Sequence, residues 1–229
     1  MRFQDAARDA RAVVYAGIQA DPLVGRAAGL LAAATTAQRI LARAVMNGET
    51  TDPEGWRATF PTLFGFEAMA DLVERERSEA ILAVALAVAD RGEQVRSQVR
   101  GAIVEELTAQ LLARRVGAPA VRRERRILFD GVRAEIHPYD VTIERDGSAE
   151  AYDCKWGARG INADVLHQLD DARTHAADED ERLPVALVVF DAMRSCEVRL
   201  ARQTAPHAET GIVSLETLDD LADSRMTRA

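Results

Sequence analysis

The sequence predicts an α/β protein in two parts: an all-α region over residues 1–95 and, over residues 96–229, one mixed β-sheet flanked by helices. Three observations predict it. Through the first part, apolar residues recur at spacings of three and four on an alanine-rich background, the period of an amphipathic helix. From about residue 97 two Asp-Gly pairs separate three β-prone runs, the strongest local signal for hairpins. Further on, Pro184-Val185-Ala186-Leu187-Val188-Val189-Phe190 is apolar without interruption, which marks a central strand buried on both faces.

In the helical part the apolar positions are Leu30, Leu31, Ile40, Leu41 and Val45, then Leu82, Val84, Leu86 and Val88. Breaks at Asp21-Pro22, Asn47-Gly48, Asp52-Pro53, Phe60-Pro61 and Asp90-Arg91-Gly92 divide it into roughly four helices, with no strand signal. Trp56, Phe60, Phe64 and Phe66 are read as core. The second part opens with a helix over 97–116, stopped by Gly117 and Pro119. Strands over 121–129, 132–144 and 149–155 follow as an antiparallel meander turning at Asp130-Gly131 and Asp146-Gly147. His137-Pro138 interrupts the middle strand and predicts a bend just before Asp140. An amphipathic helix over 161–177 carries Ile161, Val165, Leu166 and Leu169 on one side, and the acidic run Asp178-Glu179-Asp180-Glu181 reads as a solvated loop. Residues 198–200 and 211–215 read as short strands, and 215–221 as a closing helix.

Composition narrows the function. No window holds the eighteen or more uncharged apolar residues of a spanning helix, and the first residues lack the basic start and apolar centre of a signal peptide, so a cytoplasmic location with no membrane partner is the expectation. Cys154 and Cys196 are too few for a disulfide framework and lack zinc-site spacing, and His137, His167 and His175 share no metal-ligand spacing. A net charge of −8 argues against a protein that coats nucleic acid through its phosphates. Local contact with such a backbone is open to a basic strip of Arg114, Arg115, Arg122, Arg123, Arg125 and Arg126, whose other reading is a solvated helix end and edge strand. There is neither a Gly-x-Ser-x-Gly elbow for acyl transfer nor a phosphate-binding glycine loop.

One residue stands apart. Lys155 is the only lysine, against 28 arginines. An ammonium is a compact point charge that approaches a water or phosphate oxygen in a way that a broad, planar guanidinium does not. Strand periodicity puts Asp153 and Lys155 on one face, with Tyr152 and Cys154 on the other. The expected turn near Asp146-Gly147 lays the strand bearing Asp140 alongside, so that two carboxylates converge. Two aspartates and a backbone carbonyl make a hard-oxygen site suited to Mg²⁺ or Mn²⁺. Trp156, next in sequence, either stacks on a base or closes the core edge.

The residues Asp140, then Asp153-x-Lys155 after twelve intervening positions, resemble the signature of the PD-(D/E)xK nuclease superfamily, the restriction-endonuclease-like fold. The preceding helix, with Gly101, Glu105, Leu111 and Leu112, is similar to one in Mrr-type restriction enzymes and archaeal Holliday-junction resolvases, and Val165-Leu166-His167-Gln168-Leu169 resembles the family's later glutamine-bearing helix. The resemblance covers residues 97–192. It implies a metal-dependent nuclease in restriction, defence or repair, with Asp140, Asp153, the Cys154 carbonyl and Glu105 holding Mg²⁺ or Mn²⁺, Lys155 acting on the attacking water and Gln168 auxiliary. Glu105 is preferred over Glu106 because it borders the apolar arc of Val104, Leu107, Leu111 and Leu112. DNA over RNA follows from frequency in the family, and a homodimer from the need for two sites to cut two strands. The N-terminal helices are assigned recognition, dimerisation or a protein partner. Tyr139 separates Pro138 from Asp140, and Asp153 stands where glutamate is commoner. The alternatives are a noncatalytic protein-interaction module on the same scaffold and an RNA-cleaving toxin nuclease.

Overall fold

The structure, a computed structural model, describes residues 1–6, 10–66, 71–130, 132–133, 137–145, 148–205 and 210–223. Gly131 and the Asp146-Gly147 turn lie outside the described residues. The chain divides into two compact units, one of residues 10–107 and the other of 1–9 with 108–229. The boundary expected at residues 95 and 96 falls near the start of a helix, α7 (Glu93–Val116), whereas the units part inside that helix.

The described elements of the first unit before α7 are the helices α1 (Ala10–Gln19), α2 (Pro22–Ala32), α3 (Thr36–Asn47), α4 (Pro53–Thr59), α5 (Pro61–Phe64) and α6 (Leu72–Ala89). Their starts follow local chemistry. Asp21 and Asp52 cap α2 and α4 with proline at the first helical position, and Thr35 and Gln38 form a reciprocal capping box at α3. Leu31, Leu41, Val45, Leu82, Val84 and Val88 are buried as the spacing predicts, whereas Ile40 is exposed. Phe64 is buried, but Phe66 is 90% exposed, which corrects its assignment to the core. Its hydrophobicity could not reveal that it follows the last turn of α5 instead of lying within a helical face.

The second unit is built on a seven-stranded mixed sheet. Its strands are β1 (Arg2–Asp5), β2 (Val121–Phe129), β3 (Val132–Arg133), β4 (Tyr139–Arg145), β5 (Ser148–Lys155), β6 (Val185–Val189) and β7 (Gly211–Val213). The order is β1-β2-β4-β5-β6-β7, with β3 pairing β2; β2, β4 and β5 are antiparallel, and β6 and β7 continue in parallel. The antiparallel order of the expected meander and the buried central strand are therefore present, but the middle strand expected over 132–144 is described as two strands, β3 and β4, both paired with β2. β1 corrects the reading of residues 1–95 as strand-free: it pairs antiparallel with β2, Phe3 opposite Ile127. Four residues with one partly buried side chain carry no periodic signal, and it is the backbone bonds to a distant strand that make them a strand.

Helix α7 ends at Gly117, whose φ of 85° suits a residue without a Cβ. Helix α8 (Ala163–Asp178) is capped by Asn162 and buries Leu166, Leu169, Ala172 and Ala176 against one face of the sheet, where Ala149, Ala151, Val185, Leu187 and Val189 meet them. Residues 198–200 belong to helix α9 (Met193–Leu200), not to a strand. Cys196 and Leu200, one turn apart, meet that same core, and a three-residue apolar alternation cannot distinguish this from a strand. Residues 218–221 form a 3₁₀ turn in place of the closing helix. The acidic run is also not simply solvated, because Glu179 and Glu181 pair with the Met1 ammonium. Among the described residues no helix is long and apolar enough to cross a membrane.

Candidate active site

The predicted convergence begins with register. Val141 lies opposite Tyr152 and Thr142 opposite Ala151, and the same register continued by one place sets Asp140 opposite Asp153. Alternate amides of β5 point to opposite neighbours. Ala151 N donates to Pro184 O and Phe190 N to Lys155 O, so that Cys154 N turns toward β4. There the Asp140 carboxylate accepts it, Oδ2 lying 2.6 Å from Cys154 N. The side chain thus takes the place of a main-chain acceptor where β4 begins.

On β5, Asp153 is 4% exposed and its Oδ1 is ion-paired with the Lys155 ammonium. Burial acts to lower the pKa of this ammonium, but the attraction of Asp153 and then of Asp140 outweighs it, so the net shift is upward from the ordinary lysine value. Asp140, Asp153 and Lys155 therefore act as one electrostatic cluster. Cys154 points to the opposite face, its Sγ 3.5 Å from Thr108 Oγ1 of α7. Below it on that face, Arg115 donates to Glu150 Oε2 at 2.6 Å and to the Tyr152 hydroxyl at 3.2 Å.

Two further candidates are placed differently. Glu105 is buried and Glu106 half-buried, as the helical wheel predicts. The Glu105 carboxylate belongs to the helical unit, where it accepts from the Tyr15 hydroxyl and, at 2.8 Å, from Gln19 Nε2. Gln168 of α8 is 3% exposed and grips the main chain at both ends of its amide: His137 N donates to Oε1 at 3.0 Å and Nε2 donates to His137 O at 3.1 Å. The Tyr139 hydroxyl adds a bond to the Gln168 carbonyl at 3.3 Å. Gln168 thereby holds the segment that leads into Asp140, and the bend at His137-Pro138 is where the clamp closes.

Among the described residues, no three His, Cys, Asp or Glu side chains gather as a cage for a metal ion. A cation here would rest on two carboxylates and a main-chain oxygen, the others being water and substrate. That donor set fits Mg²⁺, which is commonly held by one or two carboxylates and keeps several waters. In the basic strip, Arg115 is committed to Glu150, and Arg125 to Glu144 and Asp5, so these two cations are engaged inside the fold. Trp156 stacks on Phe190 with ring centroids 5.0 Å apart, the core-edge arrangement.

Two residues near Lys155 escaped the sequence reading. Asp191 is 6% exposed; its Oδ2 accepts from Ala158 N at 3.0 Å and its Oδ1 from Ala192 N at 2.8 Å. A polar residue closing the apolar run of a parallel strand was the available signal, since ligands of α/β sheets gather at such carboxyl ends. Gly160, in the 3₁₀ turn Ala158–Gly160, faces the Lys155 side chain, and no sequence signal marks it. Comparison of the chain with protein-family models, with curated proteins and with solved structures gives no match.

Proposed function

We propose that the protein is a divalent-metal-dependent nuclease of the PD-(D/E)xK type that hydrolyses phosphodiester bonds, with DNA as the substrate. One observation carries the reading: the single lysine of the chain is paired with Asp153 on β5, beside an Asp140 whose carboxylate reaches the same strand. Asp140, Asp153 and the Cys154 carbonyl would hold Mg²⁺ or Mn²⁺. When bound, such an ion supplies positive charge to a phosphodiester and acidity to a water. Lys155 donates from its ammonium to a phosphate oxygen or to the attacking water, fixing its orientation. Gln168 holds the main chain before Asp140 and so keeps one carboxylate in place.

The test is incubation of the purified protein with plasmid, linear DNA and RNA in Mg²⁺ or Mn²⁺. Cleavage of DNA is expected, is abolished by EDTA and returns when the metal is restored. Lys155→Ala and Asp153→Ala are expected to reduce it at least about 100-fold, the magnitude for losing a group that stabilises developing charge. Undiminished cutting by Asp153→Ala would end the proposal, and cleavage of RNA alone would favour a toxin nuclease.

A second reading has its own observation. The Asp153–Lys155 contact and the Asp140–Cys154 bond are also what a structural ion pair and a main-chain cap provide, as a noncatalytic interaction module would retain. That reading predicts no metal-dependent cleavage of any nucleic acid.

A further inference from the structure

We infer that the turn after β5 is the positioning device for Lys155, in which Gly160 leaves the passage for the lysine stem and Asp191 anchors the turn that brings Gly160 there. The inference rests on the nuclease reading for what Lys155 does, but not for where it is held. A lysine side chain is long and rich in rotamers, so confining its methylene stem fixes where the ammonium sits beside its acid pair.

The confinement comes from behind. After Lys155 the chain folds back through Gly157 and the Ala158–Gly160 turn, closed by Gly160 N to Gly157 O at 2.9 Å and Ile161 N to Ala158 O at 3.1 Å. A methyl group at Gly160 would lie 2.9 Å from each of Lys155 Cβ, Cγ and Cδ. These atoms are the root and middle of the side chain, and Cβ is fixed by the backbone, so moving the tip does not relieve the clash. Gly160 is not in the left-handed region, where only Gly117 is found among the described glycines. Space, not backbone conformation, demands glycine here.

Nor can the turn retreat. The Asp191 carboxylate holds Ala158 N, Ile161 is fully buried in the core, Arg199 Nε donates to Ile161 O at 2.8 Å, and Trp156 is stacked on Phe190. Asp191 is itself held at the end of β6, where Leu215 N donates to its carbonyl at 2.9 Å. With the turn pinned at these points, an added methyl must displace the lysine. One carbon atom would then move the ammonium off its acid pair while altering no polar group.

The lone lysine makes the test direct. Protein grown with ¹³C-lysine has one side-chain Cε–Hε signal, from Lys155. In the wild type its two Hε protons are expected to be inequivalent and displaced from the free-lysine position. In Gly160→Ala the signal is expected to move toward free lysine and sharpen, with the amides of β6 unmoved. Asp191→Asn retains size but cannot accept from both Ala158 N and Ala192 N, and it is expected to shift the same signal; it decides the matter if Gly160→Ala does not fold. An unmoved lysine signal in folded Gly160→Ala would overturn the role of Gly160, and an unmoved signal in Asp191→Asn that of the anchor. Where the wild type cleaves DNA, Gly160→Ala should lower kcat about 100-fold with KM nearly unchanged, as for a misplaced reacting group. A wild type that cleaves nothing removes the nuclease reading, and the lysine signal still decides the positioning.

Discussion

Lys155 meets two demands that an arginine could not meet together. Its stem passes where a Cβ on Gly160 would clash with it, and its small charged head sits beside a nearly buried carboxylate. A guanidinium is broader, and its bidentate fork suits a carboxylate better than a single water or phosphate oxygen. On the nuclease proposal, Lys155→Arg is therefore expected to preserve the charge but lose at least about tenfold in cleavage rate, for want of the geometry on which positioning depends. Comparable rates for the two proteins would show that charge alone suffices. The same pair has a cost in stability when it is broken from one side. Lys155→Met leaves Asp153 buried without its counter-ion and should cost about 2–3 kcal/mol in denaturant unfolding, whereas Lys155→Met with Asp153→Leu should recover most of it. If the double variant were as unstable as the single one, packing and not the ion pair would be the source.

Among elements, the helix starts offer the clearest measurements. Asp21 caps α2 through Leu23 N at 2.8 Å and pairs with Arg91 at 2.7 Å. The bond from Arg91, and after it the bond from Leu23 N, holds the Asp21 carboxyl below its usual range. Because its pKa is depressed on folding, the stability it contributes is present above the unfolded value of about 3.9 and is lost as pH falls through the lower folded value. Asn retains the cap but not the charge, so Asp21→Asn should cost about 0.5 kcal/mol at pH 7, the size of a solvent-screened pair, and almost nothing near pH 2. A penalty that stayed the same at both pH values would assign the effect to the cap. Gln38, fully buried, completes the capping box of α3 and also donates to Glu74 O and Ser78 Oγ of α6, both at 3.0 Å. Gln38→Ala should therefore cost about 2 kcal/mol in thermal or denaturant melts, a cap and a buried hydrogen bond together, against about 1 for a cap alone.

For the whole molecule, the sheet sets a gradient of stability. β5 and β6 pair on both sides and are buried along most of their length, whereas β1 closes one edge with four residues that are mostly exposed. Hydrogen exchange is expected to be slowest for the amides of Ala151, Asp153, Leu187 and Val188 and distinctly faster in β1, since edge strands open without disturbing the core. Equal protection of β1 would show that the edge opens only with the sheet. If the protein acts on DNA as proposed, its net charge of −8 requires the contact to be local, and the engagement of Arg115 and Arg125 within the fold leaves fewer cations to make it.

Much of this was legible in the sequence, though unevenly. Turn pairs, chain breaks, amphipathic spacing and an unbroken apolar run are local signals: they marked β2, β5, β6 and α8 and put breaks where α2 and α4 begin, because each rests on neighbours in the chain. The short elements β1 and α9 were not, since each is made by a partner far away in sequence: β2 for one, and for the other the core beneath Cys196. The site divides along the same line. That Asp153 and Lys155 share a face was determined by the sequence alone, because a strand alternates its side chains every residue whatever surrounds it. That Asp140 reaches Cys154 N, that Gln168 clamps His137, and that Gly160 and Asp191 confine the lysine were decided only by the tertiary structure. Those contacts depend on register and packing between distant segments, which no local pattern of residues encodes.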